Sequence, residues 1–163
     1  MIPTIGRFYF IKEQFFVDYP DPYLMKNKEV IRGVEHKRPC FFTFLDSSTG
    51  LYWMIPISSQ LAKFKPIAAK KVARFGTCDT IVFGDVLGHE KAFLIQNMFP
   101  ITDSYVDSEY QDSRALIAVK VNGLLEAELI TKAKKVLALQ RTGAQFIFPD
   151  VLEIEKQLLS KIT

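Results

Sequence analysis

Side chains that carry familiar site chemistry are scarce in this sequence. Its 163 residues include only two cysteines and two histidines. Two cysteines are too few for a secreted disulfide scaffold, and Cys40 lies in an apolar run, so we expect it to be a buried, reduced thiol in a cytoplasmic protein. The chain also has no signal-peptide pattern and no apolar run of about 18 residues, so neither secretion nor a membrane span is expected.

The short motifs of several enzyme classes are also missing. The sequence contains no Walker loop and no GxGxxG, GxSxG, HExxH or CxxC pattern. His36 and His89 could form the acid–base pair of a ribonuclease only if both lay in one site, and the turn residues before His89 favour a surface histidine. Asp79 and Asp85 flank a predicted strand, where acids are usually solvated turn residues. We therefore expect neither a metal nor a cofactor.

Acidic residues are absent from the segment between Ser47 and Cys78, although the net charge of the whole chain is only +3. The basic residues of this segment are Lys63, Lys65, Lys70, Lys71 and Arg74. A second basic group comprises Lys26, Lys28, Arg32, His36, Lys37 and Arg38. Concentrated positive charge is typical of a nucleic-acid site, although a solvated charged face gives the same pattern.

Aromatic and β-branched runs predict five or six short strands. They lie at residues 7–11, 40–45, 51–57, 80–86, 93–97 and 115–121. Residues 46–50 have the composition of a hairpin turn. Pro56 predicts that its strand ends there or lies at an edge of the sheet, and the two prolines in residues 19–23 predict an extended loop.

Apolar spacing changes to a helical period in the last third of the chain. It predicts one helix over residues 126–142 and another that starts at Pro149 and Asp150. Strands followed by helices indicate an α+β fold: a compact, curved antiparallel sheet or small barrel, with surrounding helices and a helical C-terminal third. We expect a single domain over residues 1–163.

The segment from Trp53 to Phe64 combines groups that could bind RNA. A strand ends near Pro56 and is followed by Ser58 and Ser59, then by Lys63 and Phe64. Hydroxyls and N–H groups at the end of a strand or helix can hold a phosphate, and a lysine can neutralise the charge of a pentacoordinate phosphorane. An aromatic ring can stack on a base. The serines could instead simply cap the following helical turn.

These residues and several other segments resemble the ToxN/AbiQ superfamily of type III toxins, and within it the CptN-like branch. The matching segments follow the same order over nearly the whole chain: residues 8–11, 19–24, 27–28, 38–39, 53–64 and 94–101. The resemblance implies a sheet similar to that of MazF-type toxins. It also implies metal-independent endoribonuclease activity that prefers certain sequences and leaves a 2′,3′-cyclic phosphate.

The same resemblance implies the partners. The toxin would cut a repeat-containing RNA antitoxin into pseudoknots, and these would then inhibit its active site in a closed assembly with two or more protomers. Its target would be mRNA, in defence against phages by abortive infection. Neither DNA nor a membrane is expected as a partner.

Family residues are carried over where the motifs match. The catalytic candidates are Ser58, Ser59, Lys63, Tyr23 and Arg38. The serines match the first two positions of the family's Thr-Ser-x-Lys motif, but Leu61 occupies the lysine position, with Lys63 two residues later. The basic residue before the hairpin corresponds to Lys37 or Arg38, and we prefer the arginine because it adjoins Pro39. The RNA-binding candidates are Tyr9, Lys12, Asn27, Lys28, Lys37, Phe64, Lys65, Lys70, Lys71 and Arg74.

The implied mechanism is attack by the 2′-hydroxyl of the RNA on its own phosphate. Lys63 and Arg38 would carry the phosphorane charge, the two serines would fix the non-bridging oxygens, and Tyr23 or Tyr9 would stack a base or assist proton transfer. An alternative from another class is a non-catalytic RNA-binding module that uses the same basic groove. A small-ligand barrel lined by strand aromatics is a third possibility, although core packing explains those aromatics better.

Overall fold

Nine short strands and four α-helices make up the computed structural model, which describes residues 1–162. The strands are β1 (Phe8–Ile11), β2 (Lys28–Ile31), β3 (Val34–Lys37), β4 (Cys40–Leu45), β5 (Tyr52–Ser58), β6 (Ile81–Val86), β7 (His89–Leu94), β8 (Phe99–Ile101) and β9 (Val106–Glu109). The helices are α1 (Glu13–Asp18), α2 (Leu61–Phe75), α3 (Gly123–Arg141) and α4 (Val151–Ile162). Thr163, the last residue of the expected domain, lies outside the described residues.

Seven strands form one antiparallel sheet in the order β6-β7-β5-β4-β1-β9, with β8 also paired to β5, and β2 and β3 form a separate hairpin. The predicted α+β fold, a sheet with surrounding helices and a helical C-terminal third, is confirmed. Within residues 1–162, β6 and β9 remain the two ends of the sheet, so the small barrel is not closed. The strand predicted at residues 115–121 forms only an isolated bridge between Gln111 and Ala118, so it does not extend the sheet past β9.

β5 runs through Pro56 and lies inside the sheet, so the prediction that it ends at Pro56 or lies at an edge is wrong. One side of β5 pairs with β4. On the other side, β8 pairs with residues 52–54 and β7 pairs with residues 57–58. Pro56 falls between these two partners, where a strand tolerates a residue without an N–H group.

The sequence patterns do not predict several elements whose composition is unusual. β2 and β3 consist largely of charged or exposed residues, β8 has three residues, and α2 contains Pro66. The strand predicted at residues 93–97 instead spans His89–Leu94, and a 3₁₀ turn follows it. Tertiary contacts override local propensity in such short segments, so their periodicity alone does not identify them.

Aromatic side chains fill the core beside the sheet. The rings of Phe8, Phe41 and Phe93 pack with centroids 5.2 to 6.1 Å apart. The strand aromatics Phe42, Phe44 and Trp53 are also buried, as core packing requires. The burial expected for Cys40 is confirmed, and this burial raises the pKa of its thiol to about 12, so the thiol stays protonated at neutral pH.

Asp46 connects the β4–β5 turn to the end of α3. One carboxylate oxygen accepts hydrogen bonds from the backbone N–H (3.0 Å) and hydroxyl (2.7 Å) of Ser48, and the other accepts one from Arg141 at 2.8 Å. Burial acts to raise the pKa of Asp46, but the hydrogen bonds from Ser48 and Arg141 outweigh it and lower the pKa to about 2. The charged carboxylate is therefore the form that stabilises this junction.

Replacement of Asp46 should change how stability depends on acidic pH. A carboxyl group whose folded pKa is lowered contributes stability above its unfolded pKa, about 3.9 for aspartate, and loses it as the pH falls through the folded value. We expect the difference in the free energy of unfolding between wild type and Asp46→Asn, measured by urea titration, to shrink between about pH 4 and pH 2. A difference that stays constant over this range would contradict the assignment.

α3 should contribute most of its stability through its buried face. Leu129 is fully buried, whereas Leu124 on the same helix is 88% exposed. Leu129→Ala should lower the free energy of unfolding by about 2–5 kcal/mol, because it removes buried methyl groups and leaves a cavity. Leu124→Ala makes the same chemical change on the exposed face and should stay within about 0.5 kcal/mol of wild type. Equal losses in urea unfolding would show that α3 is packed differently.

Candidate active site

A cleft of about 720 Å³ lies between the β2–β3 hairpin, the β6–β7 turn and residues 110–114. Its polar and charged lining residues are Glu29, His36, Lys37, His89, Lys91, Tyr110, Asp112, Ser113 and Arg114. Burial raises the pKa of Tyr110, and the negative charge of Asp112 adds a smaller effect in the same direction. The Tyr110 hydroxyl therefore remains a hydrogen-bond donor at neutral pH. The cleft therefore offers cations, imidazoles and a phenol to a polar ligand.

A buried ion pair lies at the wall of this cleft. Arg38 and Glu29 are both less than 10% exposed, and the guanidinium lies 3.5 Å from the carboxylate. Arg38 also donates hydrogen bonds of 2.8 Å to the backbone carbonyls of Ile57 and Lys26. The guanidinium thus links the entry to β2, the Glu29 side chain and the end of β5.

The same Glu29 carboxylate contacts both predicted serines. One oxygen accepts a hydrogen bond from the backbone N–H of Ser59 at 2.7 Å and a longer one from the Ser58 hydroxyl at 3.4 Å. Ser58 is fully buried, and its hydroxyl also accepts a hydrogen bond from the N–H of Gln60 at 3.2 Å. The donors predicted to hold a phosphate therefore hold a carboxylate of the protein itself, and the Ser58 hydroxyl also stabilises the turn that leads into α2.

Lys91 is the cation nearest to this serine pair. β5 and β7 pair antiparallel with Ser58 opposite Ala92, which brings Lys91 beside Ser59. The ammonium donates a hydrogen bond of 2.5 Å to the Ser59 hydroxyl. Sequence reasoning missed Lys91 because its predicted strand began at residue 93; a strand extended to the Leu87-Gly88 turn would have included it.

Lys63 occupies a different place. It lies on α2, where its ammonium is 5.2 Å from the centroid of the Phe64 ring. Phe64 itself is only 3% exposed and packs in a second core cluster with Ala68 and Leu94. The predicted stacking of a base on Phe64 does not fit this burial.

The two predicted tyrosines also differ. Tyr9 is 1% exposed, and its hydroxyl accepts a hydrogen bond from the N–H of Thr4 at 2.6 Å and donates one to Glu109 at 3.4 Å. Its ring belongs to the core, so base stacking by Tyr9 does not fit the structure. Tyr23 is 61% exposed, and the centroid of its ring lies 6.5 Å from that of Phe148. Tyr23 is not among the residues that line the cleft.

The remaining RNA-binding candidates lie in three places. Lys37 lines the cleft and forms an ion pair with Asp107 at 3.4 Å. Lys12 precedes α1, and Asn27 and Lys28 line a second pocket beside that helix. Four candidates lie on α2: Lys65, Lys70, Lys71 and Arg74. Lys65 forms an ion pair with Glu90, and Lys71 donates a hydrogen bond to the Thr80 hydroxyl. The structure therefore brings Ser58, Ser59 and Arg38 together at the Glu29 carboxylate, whereas Lys63, Tyr23 and the α2 cations are not among the residues that line the cleft.

Across residues 1–162, no three His, Cys, Asp or Glu side chains are grouped so that they could hold a metal ion. None of the helices in this range is long and apolar enough to cross a membrane.

Comparison with known proteins gives a match in structure only. No protein-family model and no curated protein matches the sequence. One similar solved structure is that of AbiQ, a lactococcal anti-phage endoribonuclease belonging to the type-III toxin-antitoxin system. The chain has the AbiQ fold. The TM-score is 0.66 at 13% sequence identity, over 97% of this chain and 96% of AbiQ. The predicted resemblance to the ToxN/AbiQ superfamily is confirmed at the level of the fold.

The buried ion pair provides a test of the arrangement around the serines. Arg38→Met should lower the free energy of unfolding by about 3–5 kcal/mol, because it leaves the Glu29 carboxylate buried without its cation. The exposed pair of Lys28 and Glu35 is the control, and Lys28→Met should change stability by less than about 1 kcal/mol.

A double variant separates loss of the ion pair from loss of packing. If Arg38 and Glu29 stabilise each other, Arg38→Met combined with Glu29→Leu should lose less stability than the sum of the two single losses, by about 0.5–3 kcal/mol. Urea unfolding of all four proteins gives this coupling energy. Strictly additive losses would show that the two side chains act independently.

Proposed function

We propose that this protein is the toxin of a type III toxin–antitoxin system, and that it cleaves RNA by metal-independent transesterification. The observation that carries the proposal is the contact of Lys91 with Ser59 beside a cleft that also contains Lys37 and Arg114. This arrangement suits a phosphodiester, since ammonium and guanidinium groups can stabilise charge that develops on the transferring phosphate. The AbiQ fold supports the same activity because AbiQ is an endoribonuclease.

In the proposed reaction, the 2′-hydroxyl of one nucleotide attacks its own 3′-phosphate. The bond between phosphorus and the 5′-oxygen of the next nucleotide breaks, which leaves a 2′,3′-cyclic phosphate and a 5′-hydroxyl. Lys91 and the Ser59 hydroxyl contact the non-bridging oxygens. Arg38, Glu29 and Ser58 are buried and act as positioning residues that fix the end of β5. Lys91 thus takes the role that the sequence suggested for Lys63.

The finer expectations from the sequence remain part of the proposal. An RNA antitoxin, processed by the toxin into repeat-derived pseudoknots, would occupy the cleft and inhibit it in a closed assembly with two or more protomers. Cellular mRNA would be the target, in the cytoplasm. Lys37, Lys28 and the exposed cations of α2 would contact RNA phosphates outside the reacting centre.

The test is an incubation of the RNA-free protein with a long RNA in EDTA. We expect discrete fragments with 2′,3′-cyclic phosphate ends from wild type, and a rate lower by about 10²–10³ for Lys91→Ala because one charge-stabilising group is lost. Lys156→Ala, an exposed lysine on α4, is the matched control and should cleave like wild type.

Three results would change the proposal. Intact RNA that is retained on a native gel would favour the binding module. Cleavage only after addition of Mg²⁺ would contradict the metal-independent mechanism. A loss of rate in Lys63→Ala but not in Lys91→Ala would return the phosphate role to Lys63.

A further inference from the structure

The two histidines of this sequence meet at one cleft. His36 lies in β3 and His89 is the first residue of β7, so they come from different hairpins of different sheets. Both are exposed, and both line the cleft that contains Lys91. The condition that the sequence left open for an acid–base pair, the presence of both imidazoles in one site, is therefore met.

Tight turns hold both histidines in place. Two residues, Arg32 and Gly33, connect β2 to β3, and Leu87 and Gly88 connect β6 to β7. All four have positive φ, between 51° and 79°, as in type I′ turns. Arginine and leucine rarely adopt this conformation, so both turns have a strained first residue. A two-residue turn fixes the register of its strands and hence the direction in which each imidazole projects.

Charged residues lie next to His36 on its own hairpin. It pairs across the hairpin with Glu29, so the two side chains project from the same face of that hairpin. The Glu29 carboxylate is already engaged by the Arg38 guanidinium and the Ser59 N–H. Lys37 is the neighbouring cation on β3.

His89 lies in a mixed environment. Glu90 beside it pairs with Lys65 of α2 at 2.7 Å, and Asp85 lies opposite Glu90 in β6. Lys91 is two residues along the same strand and therefore on the same face as His89. Tyr110, Asp112 and Arg114 complete the titratable and charged lining that both imidazoles share.

We propose that, of His36 and His89, one is the general base and the other the general acid of the ribonuclease reaction, an inference that rests on the proposed function. One imidazole accepts the proton of the 2′-hydroxyl as that oxygen attacks phosphorus. The other, as imidazolium, donates its proton to the 5′-oxygen as the bond between phosphorus and that oxygen breaks. Exchange of protons with water restores both side chains, so the cycle consumes no further reactant. Histidine suits both steps because its ordinary pKa lies near neutral pH.

The first experiment measures kcat/KM for a short RNA against pH. Wild type should give a bell-shaped profile, and His36→Gln and His89→Gln should each lower the maximum by about 10²–10⁴ and remove one limb of the bell. Glu35→Gln on the first hairpin and Asp85→Asn on the second replace exposed residues outside the cleft lining and should cleave like wild type. Matching urea midpoints and RNA affinities would exclude misfolding or weakened binding as the cause.

A second substrate tests the proton transfer itself. RNA in which sulfur replaces the bridging 5′-oxygen has a thiolate leaving group, which departs without protonation. Replacement of the general acid should therefore have little effect on this substrate, whereas replacement of the base should still slow it. We expect one histidine variant, and not the other, to recover the wild-type rate.

The outcomes separate this inference from the function on which it rests. If both variants keep the wild-type rate and pH profile while Lys91→Ala loses activity, the histidine pair is wrong and the ribonuclease stands. Recovery of both variants, or of neither, on the sulfur substrate would also overturn the acid–base assignment. If wild type leaves RNA intact, both proposals fall together.

Discussion

The Glu29 carboxylate joins two sheets that belong to different parts of the fold. It comes from the β2–β3 hairpin, and its partners are the Ser59 N–H at the end of β5 and the guanidinium of Arg38. A buried carboxylate is strongly unfavourable without such partners, so the hairpin, the end of β5 and Arg38 depend on one another. The wall of the cleft that carries His36 is held in place by this contact. Fold stability and site geometry therefore rest on the same ion pair.

Buried and exposed residues have different roles in this arrangement. Ser58 and Arg38 face inward, where their hydrogen bonds fix backbone atoms, and they are too buried to approach a large anionic polymer directly. Lys91, His36 and His89 face the cleft and have their positions set by strand register. Chemistry on a phosphodiester requires exposed groups in a fixed geometry, and antiparallel hairpins with two-residue turns supply both properties.

The sequence predicted most of the fold because hydrophobic patterns are strong where strands are buried. Aromatic runs predict buried strands such as β4, and apolar spacing predicts the two C-terminal helices, within a few residues of their bounds in the structure. The β2–β3 hairpin was missed because its residues are mainly charged or exposed, so no apolar alternation marks it. That hairpin carries Glu29 and His36, so a prediction without it lacks one side of the cleft. The single segment around Ser58 and Ser59 was found because its residues are consecutive, whereas Lys91 and His89 reach it only through strand pairing.

The proposal of Lys91 in place of Lys63 illustrates why a motif transfers less reliably than the geometry it encodes. A lysine on a helix that follows two serines can reach a phosphate only if its distance along the chain from the serines matches the helical turn. In this chain, Leu61 stands where the Thr-Ser-x-Lys motif has its lysine. β7 runs antiparallel beside the end of β5, so a lysine one residue before the partner of Ser58 lies next to Ser59 by register alone. What the reaction requires is a positive charge at a given point in space, and either element can deliver it. The contact partner of Ser59, rather than the position of a lysine in the motif, therefore identifies the candidate.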